Sequence, residues 1–269
     1  MSLSAGKRAL IGRLRKRSTR EREGLFLVEG LRGAREALAK EAEIRFAVCS
    51  ERVRATEDGS ALLEALDRAH VEVSWTDARE LDALSDTESP QGVLLVCREP
   101  AWRLEDLETV SGLLVLDSLQ DPGNVGTLVR AASAFGLGGV VALEGTVDPW
   151  NPKAVRAAAG AVFSIPVLMV PFAEVERWLE VTDTDLVVSE PSAPDVASYR
   201  PAGRWALAVG NEGAGVSPSV AGAARARVGV PMSGDAESLN AGVAGAILMY
   251  VLTRSSQRAP CDGGRLDGR

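Results

Sequence analysis

Three loops in the second half of the chain carry side chains that could bind a ligand or take part in catalysis. The first is Asp117-Ser-Leu-Gln-Asp-Pro-Gly-Asn-Val-Gly126, and Arg130 follows it in a predicted helix. The second is Gly210-Asn-Glu-Gly-Ala-Gly215, and the third runs from Met232 to Asn240. Each loop follows an apolar run typical of a β-strand. In a parallel sheet, ligands bind at the carboxyl ends of the strands, so these loops are the candidate site.

The second loop favours a close approach of the backbone to a ligand, because its three glycines accept positive φ. It matches neither the G-x-G-x-x-G fingerprint nor a P-loop, since no Lys-Ser/Thr follows it. Glu212 within the loop would repel a phosphate and suits a ligand that carries hydroxyl or ammonium donors. These features argue against nucleoside triphosphates and dinucleotides.

The other two loops each open a predicted helix. Pro122-Gly123 predicts a turn and Asn124 a helix cap, while Ser238 or Asn240 is the predicted cap of the long apolar helix that follows. In the first helix, Arg130 lies about 140° from Val125, off the apolar stripe, and is predicted to point to the sheet edge or to solvent. An ordinary surface arginine is the alternative interpretation. The last helix is apolar nearly all round and should be buried on more than one side.

The histidine and cysteine content excludes several classes of site. His70 is the single histidine, so triads that depend on histidine and sites with several histidine ligands are excluded. Cys49, Cys97 and Cys261 lie far apart, which argues against zinc and for a reducing compartment. Cys49 and Cys97 fall in apolar strand-like runs and are predicted to be buried, inert thiols. No metal is expected.

Charge is concentrated at the N-terminus. The whole chain has 30 Lys+Arg and 37 Asp+Glu, a net charge of −7, but residues 1–35 hold ten basic side chains and three glutamates. Such a segment on an acidic body can bind a polyanion, or it can be the solvated face of a helix that turns Leu10, Ile11 and Leu14 inward. The residues of this segment that could bind a polyanion are Lys7, Arg8, Arg13, Arg15, Lys16, Arg17, Arg20 and Arg22.

The pattern of elements predicts two α/β parts that meet near Pro100 in the 269 residues. The first half predicts strands at 25–28, 44–49, 71–75 and 92–97, and helices at the N-terminus, at 31–40, at 60–68 and before the last strand. The second half has apolar runs at 113–116, 140–143, 167–170, 186–189, 206–209 and 228–231, alternating with helices. Continuous apolar strands of this kind indicate a parallel sheet that is covered on both faces.

The ends of the chain suggest a soluble, cytoplasmic protein. The basic N-terminus lacks the apolar stretch of a secretory signal. The longest apolar run, 241–252, is shorter than the ~20 residues that a bilayer requires. The composition of residues 256–269 is typical of turns, and this tail is predicted to be disordered.

Taken together, the three loops resemble, in order, the three motifs of the SpoU/TrmH family of RNA ribose 2′-O-methyltransferases in the SPOUT superfamily. The matching stretches are residues 121–130, 210–215 and 230–240. The segment from Arg22 to Gly30 resembles the start of the family's accessory substrate-binding domain, which favours RNA as the partner of the basic segment. One departure is Ala241-Gly242, where many relatives carry Val-Ser; it casts little doubt on activity.

The resemblance implies an α/β fold with two domains and a tail. A small N-terminal α/β RNA-binding domain would span residues 1–100, and a SPOUT domain with a mostly parallel sheet and a trefoil knot would span 107–255. The tail would be 256–269. It also implies S-adenosylmethionine as the cofactor and a homodimer formed through the C-terminal domain. The catalytic positions that it implies are Asn124, Arg130, Glu212, Ser238 and Asn240, and the cofactor-binding positions are Ser189, Gly210, Val230 and Leu239.

The implied reaction is attack of a ribose hydroxyl on the sulfonium methyl group, which requires positioning and removal of a proton. Arg130 is either the base, assisted by a substrate phosphate, or an electrostatic clamp on the developing alkoxide, since guanidinium is a poor base. Ser238, Asn124 and Asn240 would orient the hydroxyl and the backbone, and Glu212 would anchor Asn124 or Arg130.

Large-subunit ribosomal RNA is the favoured substrate, because the accessory domain is typical of relatives that act on it. Transfer RNA and a role in antibiotic resistance through ribosomal RNA stay open. A catalytically silent RNA-binding protein is the alternative from another class. A nicotinamide-dependent oxidoreductase is disfavoured by the glycine spacing.

Overall fold

A computed structural model of the protein describes residues 2–87, 89–107, 112–234 and 238–256. The α-helices in this part of the chain are α1 (Ala5–Leu14), α2 (Arg17–Glu23), α3 (Leu31–Ala39), α4 (Glu57–Arg68), α5 (Ala78–Leu84), α6 (Pro122–Ala134), α7 (Pro152–Ala158), α8 (Phe172–Val181), α9 (Pro218–Gly222) and α10 (Ala241–Ser256). The strands are β1 (Leu25–Glu29), β2 (Ile44–Cys49), β3 (Val73–Trp75), β4 (Val93–Arg98), β5 (Gly112–Leu116), β6 (Val140–Ala142), β7 (Val167–Met169), β8 (Thr184–Ser189), β9 (Arg204–Val209) and β10 (Ala226–Val228).

The larger sheet has the strand order β10-β8-β9-β5-β6-β7, and all of its neighbouring strands are parallel. Successive residues of β5 enter different cores: Leu114 and Leu116 belong to one hydrophobic cluster, and Leu113 and Val115 belong to another. Helices cover both faces, which explains why the strands are apolar throughout. The predicted parallel sheet is confirmed.

Two neighbouring central strands position the candidate site. The chain leaves β5 toward β6 and β7 on one side, whereas β9 and β8 lie on the other side of β5. The loops after β5 and β9 therefore leave the same edge of the sheet side by side, where the direction of the strand order changes. These are the loops that begin at Asp117 and Gly210.

The last strand is shorter than the sequence predicted. A strand at 228–231 was expected, but β10 ends at Val228. Beyond it, the amide of Gly229 donates to the Pro194 carbonyl at 2.8 Å, and the amide of Val196 donates to the Gly229 carbonyl at 3.0 Å. The backbone after Val228 therefore bonds to the 194–196 segment and no longer to the sheet. The trefoil knot implied by the family resemblance stays a prediction.

The smaller sheet is mixed, with the order β1-β4-β2-β3, and β4 is antiparallel to both β1 and β2. Ile11 and Leu14 of α1 are buried against one face, as the amphipathic interpretation of the basic segment predicted. Cys49 and Cys97 are buried free thiols, as predicted. Burial raises the pKa of each thiol to about 12, so both stay protonated and unreactive near neutral pH.

The two sheets are joined by a continuous interior. The ring centroid of Phe26 in β1 lies 4.7 Å from that of Trp150 and 5.8 Å from that of Phe163. The side chains of Phe26 and Trp150 are buried, and that of Phe163 is half-buried. One hydrophobic cluster contains residues of both parts. The domain limits placed at residues 100 and 107 fall between β4 and β5 and stay a prediction.

Two further features concern the ends of the chain. None of the described helices is long and apolar enough to cross a membrane. The predicted tail begins at Ser256, the last residue of α10, and its remaining residues, including Cys261, lie outside the described part.

Candidate active site

The helix α6 begins one residue after Asp121, which caps it. The Asp121 carboxylate accepts a hydrogen bond from the Gly123 amide at 2.9 Å and one from Lys153 Nζ at 3.3 Å. These two donors lower the pKa of Asp121. The prediction that Asn124 caps this helix was wrong, because Pro122 occupies the first helical position, where its missing N–H costs nothing. The Asn124 side chain is therefore available for other contacts.

Asn124, Glu212 and Asn240 form a directed chain of hydrogen bonds. Asn124 Nδ2 donates to Glu212 Oε1 at 2.7 Å, and Asn240 Nδ2 donates to Asn124 Oδ1 at 3.0 Å. A carboxylate only accepts, so Glu212 fixes which way the Asn124 amide points, and Asn124 in turn fixes Asn240. Residues from all three loops thus meet at one place. Of the two expected partners of Glu212, Asn124 and Arg130, it is Asn124 that Glu212 anchors.

Asn240 also caps the last helix, as predicted. Its Oδ1 accepts a hydrogen bond from the Val243 amide at 3.2 Å, and α10 begins at the next residue, Ala241. Ser238 is not the cap; it lines the cavity described below together with Leu239. The chain of bonds therefore runs from a loop carboxylate through two amides to the backbone at the start of a helix.

Two residues that the sequence reasoning missed hold the glycine-rich loop in place. Asp117, with 1% of its surface exposed, accepts a hydrogen bond from the Ser217 amide at 2.5 Å. Asn211 Nδ2 donates to the Ser118 carbonyl at 3.1 Å, and its Oδ1 accepts from the amides of Gly213 and Ala214. The signal was present in the sequence, because Asp117 comes directly after β5 and Asn211 comes two residues after the end of β9, at the edge where the two loops leave the sheet side by side.

A cavity of about 400 Å³ opens between the loops that follow β8 and β9 and the start of α10. It contains three of the predicted cofactor-binding residues, Ser189, Gly210 and Leu239. The fourth, Val230, lines a smaller adjoining recess that Ser189 and Leu239 share. At the rim, Arg227 Nη1 donates to Glu190 Oε2 at 2.7 Å and lowers the pKa of that carboxyl.

The walls of this cavity suit a nucleoside that carries a short charged chain. They combine aliphatic side chains, such as Val188 and Leu239, with the glycine-rich backbone of 210–215. Only glycine fits at 210, because a Cβ there would lie 2.2 Å from the backbone carbon of Gly215. In the part of the chain that the structure describes, no cluster of His, Cys, Asp and Glu could hold a metal ion.

Arg130 lies apart from the chain of bonds. It is exposed on α6, six residues after Asn124, which corresponds to about 9 Å along the helix axis and about 120° around it. The hydrogen bonds and ion pairs among the described residues do not include its guanidinium. Within one chain, the structure brings together Asn124, Glu212 and Asn240, with Ser238 at the adjacent cavity, and leaves Arg130 on a neighbouring surface.

The predicted RNA-binding residues are not all available on the surface. Arg20 is 2% exposed, and its Nε and Nη2 donate to Asp148 Oδ2 at 2.8 and 2.5 Å. It therefore cannot face a nucleic acid, because its charge is used between the two sheets. Lys7 bonds to Ser74 and Glu72 and is mostly buried. The other members are exposed in whole or in part; they are Arg8, Arg13, Arg15, Lys16, Arg17 and Arg22.

Comparison with known proteins finds two family matches. Residues 112–250 match the SpoU rRNA Methylase family, and residues 10–95 match the MRM3-like substrate binding domain. A relative from Bacillus subtilis (strain 168), 23S rRNA (guanosine(2553)-2'-O)-methyltransferase RlmP, is 34% identical over 242 residues, which cover 89% of this chain and 93% of the relative. A relative from Streptomyces viridochromogenes, 23S rRNA (uridine(2479)-2'-O)-methyltransferase, is 29% identical over 255 residues, covering 91% and 87%.

A solved structure agrees with the fold of the whole chain. The SpoU methyltransferase AviRb from Streptomyces viridochromogenes, in complex with the cofactor AdoMet, superposes with a TM-score of 0.83 at 28% identity, covering 94% of this chain and 98% of that chain. The fold and the matches define an S-adenosylmethionine-dependent RNA 2′-O-methyltransferase. The chain belongs to the SpoU rRNA methylase family.

Proposed function

We propose that this protein methylates a ribose 2′-hydroxyl of large-subunit ribosomal RNA and that the bonded residues Glu212, Asn124 and Asn240 orient the reacting groups. The observation that carries the assignment of roles is the directed chain of hydrogen bonds beside the cavity. The two relatives act on different 23S rRNA nucleosides, a guanosine and a uridine, so the target base does not carry over from them.

The cavity after β8 and β9 is the proposed cofactor site. Gly210 lets the loop backbone approach the ligand, Leu239 and Val230 offer apolar surface to the adenine, and Ser189 lies between the cavity and the smaller recess. S-adenosylmethionine supplies an activated methyl group there. Glu212, at the cavity wall, attracts the positive charge of such a ligand.

Proton removal from the hydroxyl is the step that the side chains must assist. A guanidinium is a poor general base. We therefore assign Arg130 to stabilising the developing alkoxide and a neighbouring phosphate, and the hydroxyl proton passes to solvent water as the O–C bond forms. Ser238 and Asn240 orient the hydroxyl, and Asn124 holds Asn240 in place. If Arg130 is instead the base, assisted by a substrate phosphate, Arg130→Lys should retain most of the methyl-transfer rate at high pH. If Arg130 is a clamp that depends on the planar guanidinium, Arg130→Lys should lose most of that rate at every pH.

The surface around Arg130 is suited to a second copy of this chain. On α10, Val243, Ile247 and Tyr250 are 48%, 36% and 52% exposed and form one apolar stripe. The Tyr250 ring lies 5.6 Å from that of Phe135, which follows α6, so this stripe continues beside the helix that carries Arg130. Apolar stripes of this kind mark interfaces. A homodimer formed here would bury this stripe and bring the end of α6, the helix that carries Arg130, to the subunit boundary.

The accessory part, residues 1–100, is the proposed RNA-binding domain, with the methyltransferase domain at 107–255. Its exposed cations at Arg13 and Lys16 are the best candidates for phosphate contacts, since the described residues offer them no acidic partner. Arg17 and Arg22 are also exposed; Arg17 bonds to Glu21 and donates to Met169 Sδ at 3.9 Å, and Arg22 bonds to Glu23. Phosphate contacts of this kind strengthen binding without reading sequence.

The reaction is tested with S-adenosylmethionine labelled on its methyl group. The full-length protein is incubated with unmodified ribosomal RNA and, in parallel, with transfer RNA, and the RNA is hydrolysed in alkali. We expect label in an alkali-resistant dinucleotide from ribosomal RNA, because a methylated 2′-hydroxyl cannot attack the adjacent phosphate. Label in transfer RNA alone would contradict the proposed substrate. Cofactor binding without label in either RNA would favour a catalytically silent RNA-binding protein.

A further inference from the structure

The apolar recess that contains Val230 and the larger cavity of the cofactor site share a short boundary. The residues that line both are Ser189, Glu190, Pro191, Leu239 and Ala244. A nucleoside with its base in the recess and its reactive group in the larger cavity must carry its ribose across this boundary. The ribose brings two adjacent hydroxyl donors to this place, and Glu190 is the boundary residue that carries a carboxylate to accept them.

The Glu190 carboxylate is ionised and within reach of a ligand. Its side chain is 37% exposed. Oε2 accepts a hydrogen bond from Arg227 Nη1 at 2.7 Å, and Oε1 accepts one from Ser192 Oγ at 3.2 Å. The bond from Arg227 is the main cause of the lowered pKa of Glu190. Because each carboxylate oxygen has two lone pairs, each one keeps a second acceptor position beside these bonds.

The turn that carries Glu190 is held firmly against the end of β10. The Glu190 amide donates to the Val228 carbonyl at 3.0 Å. Gly229 lies so close to this turn that a Cβ there would be 2.7 Å from the Glu190 carbonyl oxygen. Arg227 is held as well, because its Nη2 donates to the Ala221 carbonyl at 3.1 Å. The carboxylate is therefore in place before a ligand arrives, which lowers the cost of binding.

We propose that Glu190 accepts hydrogen bonds from the ribose hydroxyls of the cofactor and makes the site specific for a ribonucleoside, while Arg227 positions the carboxylate. The inference rests on the proposed cofactor site. Glu190 is additional to the four cofactor-binding residues that the family resemblance implied. Carboxylates are suited to this role, because a hydroxyl donates a short, charge-assisted hydrogen bond to them, and acidic residues hold ribose hydroxyls in other nucleotide sites.

Glu190 lies on the side of the cavity away from the reacting groups. It follows β8, whereas Asn124 lies in the first turn of the helix after β5, and β9 is between these two strands. Neighbouring strands are about 4.8 Å apart, so the loops after β8 and β5 leave the sheet about 10 Å apart. Glu212, in the loop after β9, bonds to Asn124. Replacement of Glu190 should therefore alter cofactor binding and leave the bonded chain of Glu212, Asn124 and Asn240 intact.

The test compares Glu190→Gln with Glu43→Gln, a control whose exposed carboxylate bonds to Arg98 at 2.8 Å. Titration calorimetry of the full-length protein measures the affinity for S-adenosylhomocysteine and for its 2′,3′-dideoxy analogue. We expect the wild type to bind the analogue at least about tenfold more weakly, because hydrogen bonds to a charged group are lost. Glu190→Gln should bind S-adenosylhomocysteine about tenfold more weakly than the wild type does, and the analogue about as well as the wild type does. Glu43→Gln should match the wild type for both ligands.

Two results with Glu190→Gln would overturn the proposal: an unchanged affinity for S-adenosylhomocysteine, or an equal loss of affinity for both ligands, since the carboxylate would then touch no hydroxyl. Arg227→Met should weaken S-adenosylhomocysteine binding less than Glu190→Gln does, because the carboxylate remains; a larger loss would assign the contact to the guanidinium. Thermal midpoints should change little, since exposed ion pairs contribute little to stability. If the wild type fails to bind S-adenosylhomocysteine, the proposed cofactor site is refuted and this inference with it, whereas the results above refute this inference alone.

Discussion

Arg20 supports the fold through a buried ion pair, so its replacement should affect stability and leave RNA binding intact. Its guanidinium donates twice to Asp148 and, through Nη1, to the carbonyls of Leu14 and Arg15 at 2.8 and 2.9 Å. The side chains of the pair are 3% and 6% exposed. Arg20→Met therefore leaves the Asp148 carboxylate buried with no opposite charge, and it leaves two backbone carbonyls at the end of α1 without a donor.

The expected loss of stability follows from the burial of this ion pair. Removing one partner of a buried ion pair costs about 3–5 kcal/mol. In a chain of this size, each kcal/mol lowers the thermal midpoint by about 2–4 °C, so Arg20→Met should lower the midpoint by about 6–20 °C. The double variant Arg20→Met, Asp148→Asn should recover part of the loss. Neutral asparagine removes the unpaired charge and still accepts the hydrogen bond that the Trp150 amide gives to Asp148 at 2.9 Å.

Thermal unfolding followed by circular dichroism measures the midpoint, and filter retention of 23S rRNA below all midpoints measures RNA affinity. Arg22→Met is the matched control, since Arg22 is exposed and bonds only to its neighbour Glu23, a contact worth about 0–1 kcal/mol. An unchanged midpoint for Arg20→Met together with weaker RNA binding would refute the assignment of Arg20 to the interior.

Three further outcomes are expected. Asp117→Ala should weaken binding of S-adenosylhomocysteine about tenfold in a calorimetric titration, because the glycine-rich loop loses its buried anchor. The control Asp106→Ala, which removes an exposed hydrogen bond to a backbone amide, should leave this binding unchanged. Ile247→Asp should disrupt the proposed homodimer and so lower the molar mass measured by light scattering to that of one chain, whereas Val181→Asp, at an exposed site on α8, should not change the molar mass. Burial, reinforced by nearby carboxylates, raises the pKa of Glu99 to about 7 from 4.5, so the folded protein binds the extra proton and stability falls as pH rises between those values. Glu99→Gln should therefore raise the thermal midpoint at pH 8 and change it little at pH 5; an equal effect at both would contradict the burial of this carboxyl.

Local sequence patterns were sufficient to predict the elements that place the site. The strand before Asp117 and the glycine-rich loop at 210–215 depend on a few adjacent residues and are found where they were expected; the helix cap is Asn240, one of the two predicted candidates. The anchoring of Asn124 by Glu212 was expected from the family resemblance as one of two alternatives, the other being the anchoring of Arg130.

The remaining features depend on contacts between distant parts of the chain. Arg20 looked like part of a basic surface, because nothing near it in sequence indicates a partner 128 residues later. The end of β10 was misplaced because the backbone after Val228 bonds to the 194–196 segment, which has no sequence pattern of its own. Glu29 and Arg156 meet only through the packing of two sheets.

The central claim is that Asn124, held by Glu212, keeps Asn240 in position to orient the hydroxyl for methyl transfer and takes no part in cofactor binding. It is tested most directly by single-turnover transfer from labelled S-adenosylmethionine to 23S rRNA, with wild-type protein and Asn124→Ala, beside titration of both with S-adenosylhomocysteine. We predict a rate reduced about a hundredfold, because small displacements of a reacting group carry penalties of that size, and a cofactor affinity within about twofold of the wild type. An unchanged rate, or a cofactor affinity that falls in parallel with the rate, would contradict it.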